Sequence, residues 1–191
     1  MDGAFFVGDE VWWGQSKPSE GGRSSVVRRT ASGEIEDVLP APWNARSRVH
    51  EYGGGSWTVS PEGTLFFVEK TDQRVWMLIP GSSPVALTAA LAHTRHGGLT
   101  FSQGRLFAVR EIEGGGLAVQ RWIIELPLVE GAAEKVVAEG SDFVAQPALS
   151  PSGTHLAWVS WDHPAMPWER TQIRVRNLST GETVSVTDGS S

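Results

Sequence analysis

The chain has no cysteine, which excludes disulfides and thiolate metal sites. It has no basic tract either. Sixteen Lys and Arg stand against 22 Asp and Glu, a net charge of −6, so nucleic-acid or anionic-membrane binding has no electrostatic footing. No apolar run approaches the roughly 18 residues that a membrane-crossing helix needs. The start, Met1-Asp2-Gly3-Ala4-Phe5-Phe6-Val7-Gly8-Asp9-Glu10, lacks the basic n-region of a secretory signal. These absences together lead us to expect a cytoplasmic protein, with no nucleic-acid or membrane partner.

Turn formers and large aromatics are plentiful instead. The 22 Gly and 11 Pro imply many turns and little helix, and the nine Trp supply ample apolar surface for a core. A regular spacing organises them. Ser60-Pro61-Glu62-Gly63, Ser102-Gln103-Gly104-Arg105 and Ser150-Pro151-Ser152-Gly153 are similar turns, their serines 42 and 48 residues apart. Each turn precedes a short apolar strand (65–69, 106–110, 156–160), a second strand (74–79, 119–126, 173–178) and a last short one (85–88, 135–138, 183–187). The N-terminal part fits the same scheme with strands at 4–7, 10–13, 25–29 and 35–39. Four strands per period of roughly 40–50 residues is the signature of a propeller blade. The expectation is an all-β fold, a β-propeller fragment of about four blades of four antiparallel strands, at about 1–40, 41–90, 91–140 and 141–191. A sandwich of regular hairpins is the alternative that this spacing disfavours. Residues 89–93 have room for one helical turn.

The most informative run is Arg46-Ser47-Arg48-Val49-His50-Glu51-Tyr52-Gly53-Gly54-Gly55. Strand alternation would place Arg46, Arg48, His50 and Tyr52 on one face and Ser47, Val49 and Glu51 on the other. Three glycines then permit positive φ and close approach of another chain or a ligand. Read blandly, this is a tight strand entry with arginines in structural ion pairs.

This run, the stretch Pro18-Ser19-Glu20-Gly21-Gly22-Arg23, and a third segment carry a family resemblance. The third segment is Asp142-Phe143, then Leu149-Ser150-Pro151-Ser152-Gly153, then Leu156-Ala157-Trp158-Val159-Ser160-Trp161-Asp162-His163-Pro164-Ala165-Met166-Pro167-Trp168-Glu169. Together they resemble the N-terminal β-propeller of bacterial prolyl oligopeptidase family serine peptidases, in the dipeptidyl-peptidase and acylaminoacyl-peptidase branch. Where the family reads Asn-Met-Pro-Trp-Asp, this chain has Ala165 and Glu169, so no role passes to those two side chains. The resemblance implies a propeller of seven or eight blades joined to an α/β-hydrolase domain that carries a Gly-x-Ser-x-Gly nucleophile elbow. No such pentapeptide is present: Gly14-Gln15-Ser16-Lys17-Pro18 and Gly54-Gly55-Ser56-Trp57-Thr58 both lack the second Gly. The implied function is gating and orienting of short peptides for a parent peptidase, with no catalytic residue in this chain and no cofactor. The implied partners are peptide substrate and the hydrolase domain; open faces at a four-blade edge also imply self-association.

Several residues are candidates for substrate or domain contact. Glu20, beside Arg23, is the candidate for holding a peptide's free amino terminus through a charge-assisted bond. Arg48, His50 and Glu51 are candidates for the channel or the domain interface, Arg48 offering a planar fork to a carboxylate. Trp161, Asp162, His163 and Trp168 belong to a long insertion, residues 161–171, stiffened by Pro164 and Pro167. Two catalytic triads could be improvised, from Ser47, His50 and Glu51 or from Ser160, Asp162 and His163, but adjacent residues on an extended segment point apart. His93 and His96 lack a third metal ligand nearby and read as a loop with two solvated histidines. A stand-alone propeller-like interaction module is the rival reading of the whole chain.

Overall fold

The computed structural model describes residues 2–114 and 117–188. Among these residues it has sixteen strands, a single 3₁₀ turn at Pro18–Glu20, and no α-helix. The strands form four separate four-stranded antiparallel sheets, each an up-and-down meander in chain order. The first sheet holds β1 (Asp2–Val7), β2 (Glu10–Lys17), β3 (Arg23–Arg29) and β4 (Ile35–Asp37). The second holds β5 (Trp57–Val59), β6 (Leu65–Val68), β7 (Val75–Leu78) and β8 (Val85–Ala86). The third holds β9 (Thr94–Ser102), β10 (Arg105–Gly114), β11 (Leu117–Leu126) and β12 (Lys135–Ala138). The fourth holds β13 (Phe143–Leu149), β14 (His155–Trp161), β15 (Gln172–Asn177) and β16 (Thr183–Ser185). Residues 1 and 189–191, the extremes of the first and fourth expected blades, lie outside the described residues.

Strand alternation explains how the sheets stack. In β6, Leu65 and Phe67 face the first sheet, joining Trp12, Val26 and Trp57 in one apolar cluster. Their neighbours Phe66 and Val68 face the third sheet and meet Leu106, Ala108, Ile124 and Leu126. In β10 the other parity, Phe107 and Val109, packs with Ile123 against Leu156 and Trp158 of the fourth sheet. Each middle strand is therefore apolar on both faces, which is what a blade between two blades requires. The first strands of successive sheets touch one another, β1 on β5, β5 on β9 and β9 on β13, so they form the inner edge of the stack. The four sheets stack in sequence as blades of a β-propeller fragment.

The innermost strands of the second, third and fourth blades were not marked by the turn spacing. Residues 89–93 form no helical turn; the chain bends at 92–93 and enters β9. His96 is accordingly a strand residue, 2% exposed, and only His93 is on the surface. The expectation of two solvated histidines fails because His96 falls on the buried parity of β9, with its Nδ1 2.8 Å from the Gln73 carbonyl oxygen.

Candidate functional site

In each meander the β2–β3-type turns and the entries to the innermost strands share one end of the blade. Residues 18–22, 46–56, 69–74, 93 and 162–171 all belong to that end. All nine candidate residues therefore sit at one end of the stack, although they come from three different blades.

The charged run alternates only as far as Val49. Ala45, Ser47 and Val49 are buried while Arg46 and Arg48 are exposed. The chain then turns through His50 (φ 56°) and Glu51 (φ 69°), closed by bonds from the Glu51 N–H to the Arg48 carbonyl and from the Gly53 N–H to the Val49 carbonyl. The turn reverses the parity. His50 points inward, 7% exposed, and shares no face with Arg46 and Arg48. The common face expected from alternation does not exist, because a turn replaces the strand at that point.

Side chains of the neighbouring blades hold this segment. Gln73 donates to the Arg46 carbonyl at 3.0 Å and accepts from the Arg48 N–H at 2.7 Å. Ser47 Oγ donates to the His96 carbonyl at 2.6 Å. The glycines that follow are filled with protein rather than left open for a ligand. A Cβ on Gly55 would lie 2.6 Å from Gly98 Cα, and the Gly98 and Leu99 N–H groups donate to the Gly54 and Gly55 carbonyls. Gly54 alone has nothing within 4 Å of its Cβ position.

A buried carboxylate ties the turn to blades three and four. Glu111, 1% exposed, accepts from the His50 N–H at 3.0 Å and from Arg121 Nε at 2.6 Å, while its other oxygen lies 3.3 Å from Arg95. Arg95 also pairs with Glu51 and Glu113. The Glu51 carboxyl is held below its usual range, first by that hydrogen bond from Arg95 and then by its charge. Arg121 continues to the Asp142 carbonyl at 2.7 Å and lies over the Phe143 ring at 4.1 Å. Charges this deep are tolerable only when paired and hydrogen-bonded.

Aromatic rings extend from this network. Phe143 and Trp161 stack at 4.8 Å with planes 2° apart, and both meet His50 edge-on at 5.7 Å. Burial, with the nearby Arg121 charge, pushes the His50 pKa down to about 4 against a hydrogen bond that the ring donates to the Val144 backbone. His50 Nε2 has no partner among the described residues. Burial likewise pushes His96 down to about 4.

The insertion at 162–171 is anchored by a reciprocal clasp. Asp162 accepts from the Asp142 N–H at 2.7 Å, and Asp142 accepts from the His163 N–H at 2.8 Å. Met166 donates to the Glu169 carboxylate at 2.7 Å, and Trp168 stands 74% exposed. Neither improvised triad assembles: Ser47 serves a carbonyl, and Asp162 serves a backbone N–H. Glu20 and Arg23 sit on the first blade. Arg23, 6% exposed, pairs with Glu20 at 2.5 Å and donates at 3.0 Å to the Leu39 and Trp43 carbonyls.

Between the inner strands β9 and β13 and the glycine turn lies a cleft of about 870 Å³. Its walls include His50, Tyr52, Gly54, Gln146, Pro147, Trp161 and Pro167, and among the described residues no Asp, Glu, Lys or Arg lines it. Sequence reasoning had missed Gln73, Arg95, Glu111, Arg121, Phe143 and Gln146. Glu111 gave a partial signal, an acidic residue between the apolar run 106–109 and Ile112.

No protein-family model matches the chain, and no curated protein does. Among solved structures the chain is similar to a Mycobacterium tuberculosis puromycin-hydrolyzing peptidase, 34% identical over 97% of this chain with a TM-score of 0.87. A mutant of puromycin hydrolase complexed with PGG is 33% identical over 96% of this chain, also with a TM-score of 0.87. The chain spans 32% of the length of each. An acylaminoacyl peptidase from Pyrococcus horikoshii, 13% identical over 98% of this chain with a TM-score of 0.60, shares the fold.

Proposed function

We propose that this chain, a propeller portion of the prolyl oligopeptidase peptidase family, orients and gates short peptides for a serine peptidase domain. The observation that carries this reading is the uncharged cleft between β9 and β13, beside a rigid aromatic and charged end. Such a cleft, apolar with a few convergent polar groups, suits a small organic ligand. An α/β-hydrolase domain then supplies the nucleophile, and bond breaking belongs to that domain. The relatives' names add an aminoacyl amide of the puromycin kind to the dipeptidyl and acylaminoacyl substrates.

The candidate residues divide by what holds them. Arg48, Trp168 and His163 are exposed at the common end and suit contact with the hydrolase domain. Glu20 remains the candidate for an ammonium group, now as a carboxylate already shared with Arg23. His50 and Trp161 form part of the cleft wall, while Glu51 and Asp162 hold the turn and the insertion beside it. No described helix is long and apolar enough to cross a membrane, and a cytoplasmic site of action belongs to the same proposal.

The test is turnover of aminoacyl and acylaminoacyl chromogenic amides by the 191-residue chain and by a fusion that adds a hydrolase domain of a relative. The chain alone is expected to be inert and not to react with a fluorophosphonate. Activity intrinsic to the chain alone would overturn the division of labour. A fusion whose peptide-length preference is unchanged by deleting the propeller would overturn the gating role.

A further inference from the structure

The inner strands repeat one irregularity, and one blade breaks the rule that goes with it. β1, β9 and β13 each carry a register shift opposite the second strand of their sheet. The left-handed residue at the shift is Gly3 (φ 73°), Gly98 (φ 57°) and Gln146 (φ 53°). Each stands three residues before Phe6, Phe101 and Leu149, whose partners Val11, Leu106 and Leu156 are equivalent positions in the three blades. Glycine occupies a bulge of this kind because L side chains are strained there. The fourth blade retains glutamine, which lacks the short side chain that lets Asn or Asp settle in this region.

The strained residue faces the cleft. Gln146 is exposed, lines the cleft, and its carboxamide has no hydrogen-bond partner among the described residues. The surrounding wall is apolar and uncharged: Pro147, Val159, Trp161 and Pro167, with His50 kept neutral by its pKa of about 4. A carboxamide offers one acceptor and two donors, which matches the carbonyl and N–H of a peptide unit. Strain held at an exposed position in a cleft is a signature of use rather than of packing.

We propose that Gln146 is a specificity-determining residue that hydrogen-bonds an amide unit of a neutral, apolar peptide segment lying against Pro147 and Trp161. This rests on the reading that the cleft faces substrate. It adds that the cleft takes the uncharged interior or a blocked end of a peptide, and not its charged termini.

The probe is N-acetyl-phenylalanyl-glycinamide, titrated into the ¹⁵N-labelled 191-residue chain and followed at the Gln146 carboxamide and the Trp161 indole. Both signals are expected to shift, and free Phe-Gly is expected to bind more weakly. Gln146→Gly removes the amide and relieves the backbone, so affinity falls about tenfold while the melting temperature holds or rises. Gln146→Asn, which tolerates left-handed backbone but reaches less far, also holds its melting temperature and loses affinity. Wild-type affinity in both variants, with binding abolished by Trp161→Ala, would overturn the role of Gln146 and leave the cleft reading standing. A lowered melting temperature in Gln146→Gly with unchanged affinity in Gln146→Asn assigns the residue to the bulge alone, and also overturns it. Absence of any shift at Gln146 or Trp161 at millimolar probe overturns both readings.

Discussion

The junction between the first and second blades and the junction between the third and fourth are built from the same repeat but closed differently. The first is closed by apolar bulk: Trp12, Trp57, Leu65 and Phe67 bury one another, and Trp43 meets Phe67 edge-on at 5.6 Å. The second has an apolar cluster as well, around Phe107, Ile123 and Trp158. At its end, though, it is closed by Glu111, Arg121 and Arg95 and by the Phe143 ring on the Arg121 guanidinium, and its inner edge opens into a cleft. Hydrophobic contact is tolerant of detail; a buried ion network demands that every partner be in place. The first junction also buries Arg23 and Glu69, but against backbone groups, whereas the second buries a charged pair, Glu111 with Arg121, against its partner blade.

The largest effects should come from emptying each junction. Phe67→Ala should cost about 3–5 kcal/mol through lost burial and the cavity it leaves. Glu111→Ala should cost about the same, because Arg121 would stay buried with its ion partner gone. Denaturant unfolding measures both. The contrast is that Glu111→Leu should recover part of the loss only if Arg121 is also replaced by Met, whereas Phe67→Leu should recover part of its loss alone. Equal behaviour of the two junctions in that series would break the comparison.

Acid should separate the regions next. His50 and His96 have folded pKa values near 4, below the ordinary 6.5. Above pH 6.5 both are neutral folded or unfolded, and their contribution is fully present. As pH falls from 6.5 towards 4 the unfolded chain takes up protons that the folded chain refuses, and up to about 3 kcal/mol per imidazole is lost. The double variant His50→Gln, His96→Gln should show a flatter decline over this window in melting curves. An unaltered slope would show that carboxylates elsewhere control the acid limit.

A smaller effect is expected where the third-to-fourth junction meets the insertion. Asp142→Ala deletes the bond to the His163 N–H, worth about 1 kcal/mol at this exposed position. Limited proteolysis should then cut within 162–171 faster while the blade core stays protected. The smallest belongs to the surface of the first blade. Glu36→Gln removes the exposed Arg28 pair at 2.7 Å and should cost well under about 1 kcal/mol, less still at high salt. A Glu36 effect as large as that of Glu111 would mean that burial does not decide the worth of these pairs.

The sequence reported some elements and hid others for identifiable reasons. The second strand of each blade was legible because Leu65–Val68 and its counterparts are short apolar runs that follow a glycine-containing turn. The innermost strands of the third and fourth blades were not, because β9 carries Gly97-Gly98 and β13 carries Gln146-Pro147, which read as breakers but are bulges. At the site, Trp161 and His50 were picked out, and both line the cleft. Arg121 and Gln73 were not, since nothing local marks an arginine or glutamine whose partners lie 10 to 27 residues away.

By itself the sequence determined the repeat, the all-β class and the blade count, because turn chemistry and strand alternation act over neighbouring residues. It also marked the segments that gather at one end. Tertiary structure alone decided which of those side chains point inward. A turn at His50 and Glu51 reversed the parity of the charged run, the backbone of β9 filled the space beside the glycines, and Glu111 found Arg121 and the His50 N–H across three stretches of chain. Burial of charge is a property of the assembled blades, with no counterpart in the local sequence pattern that selected each strand.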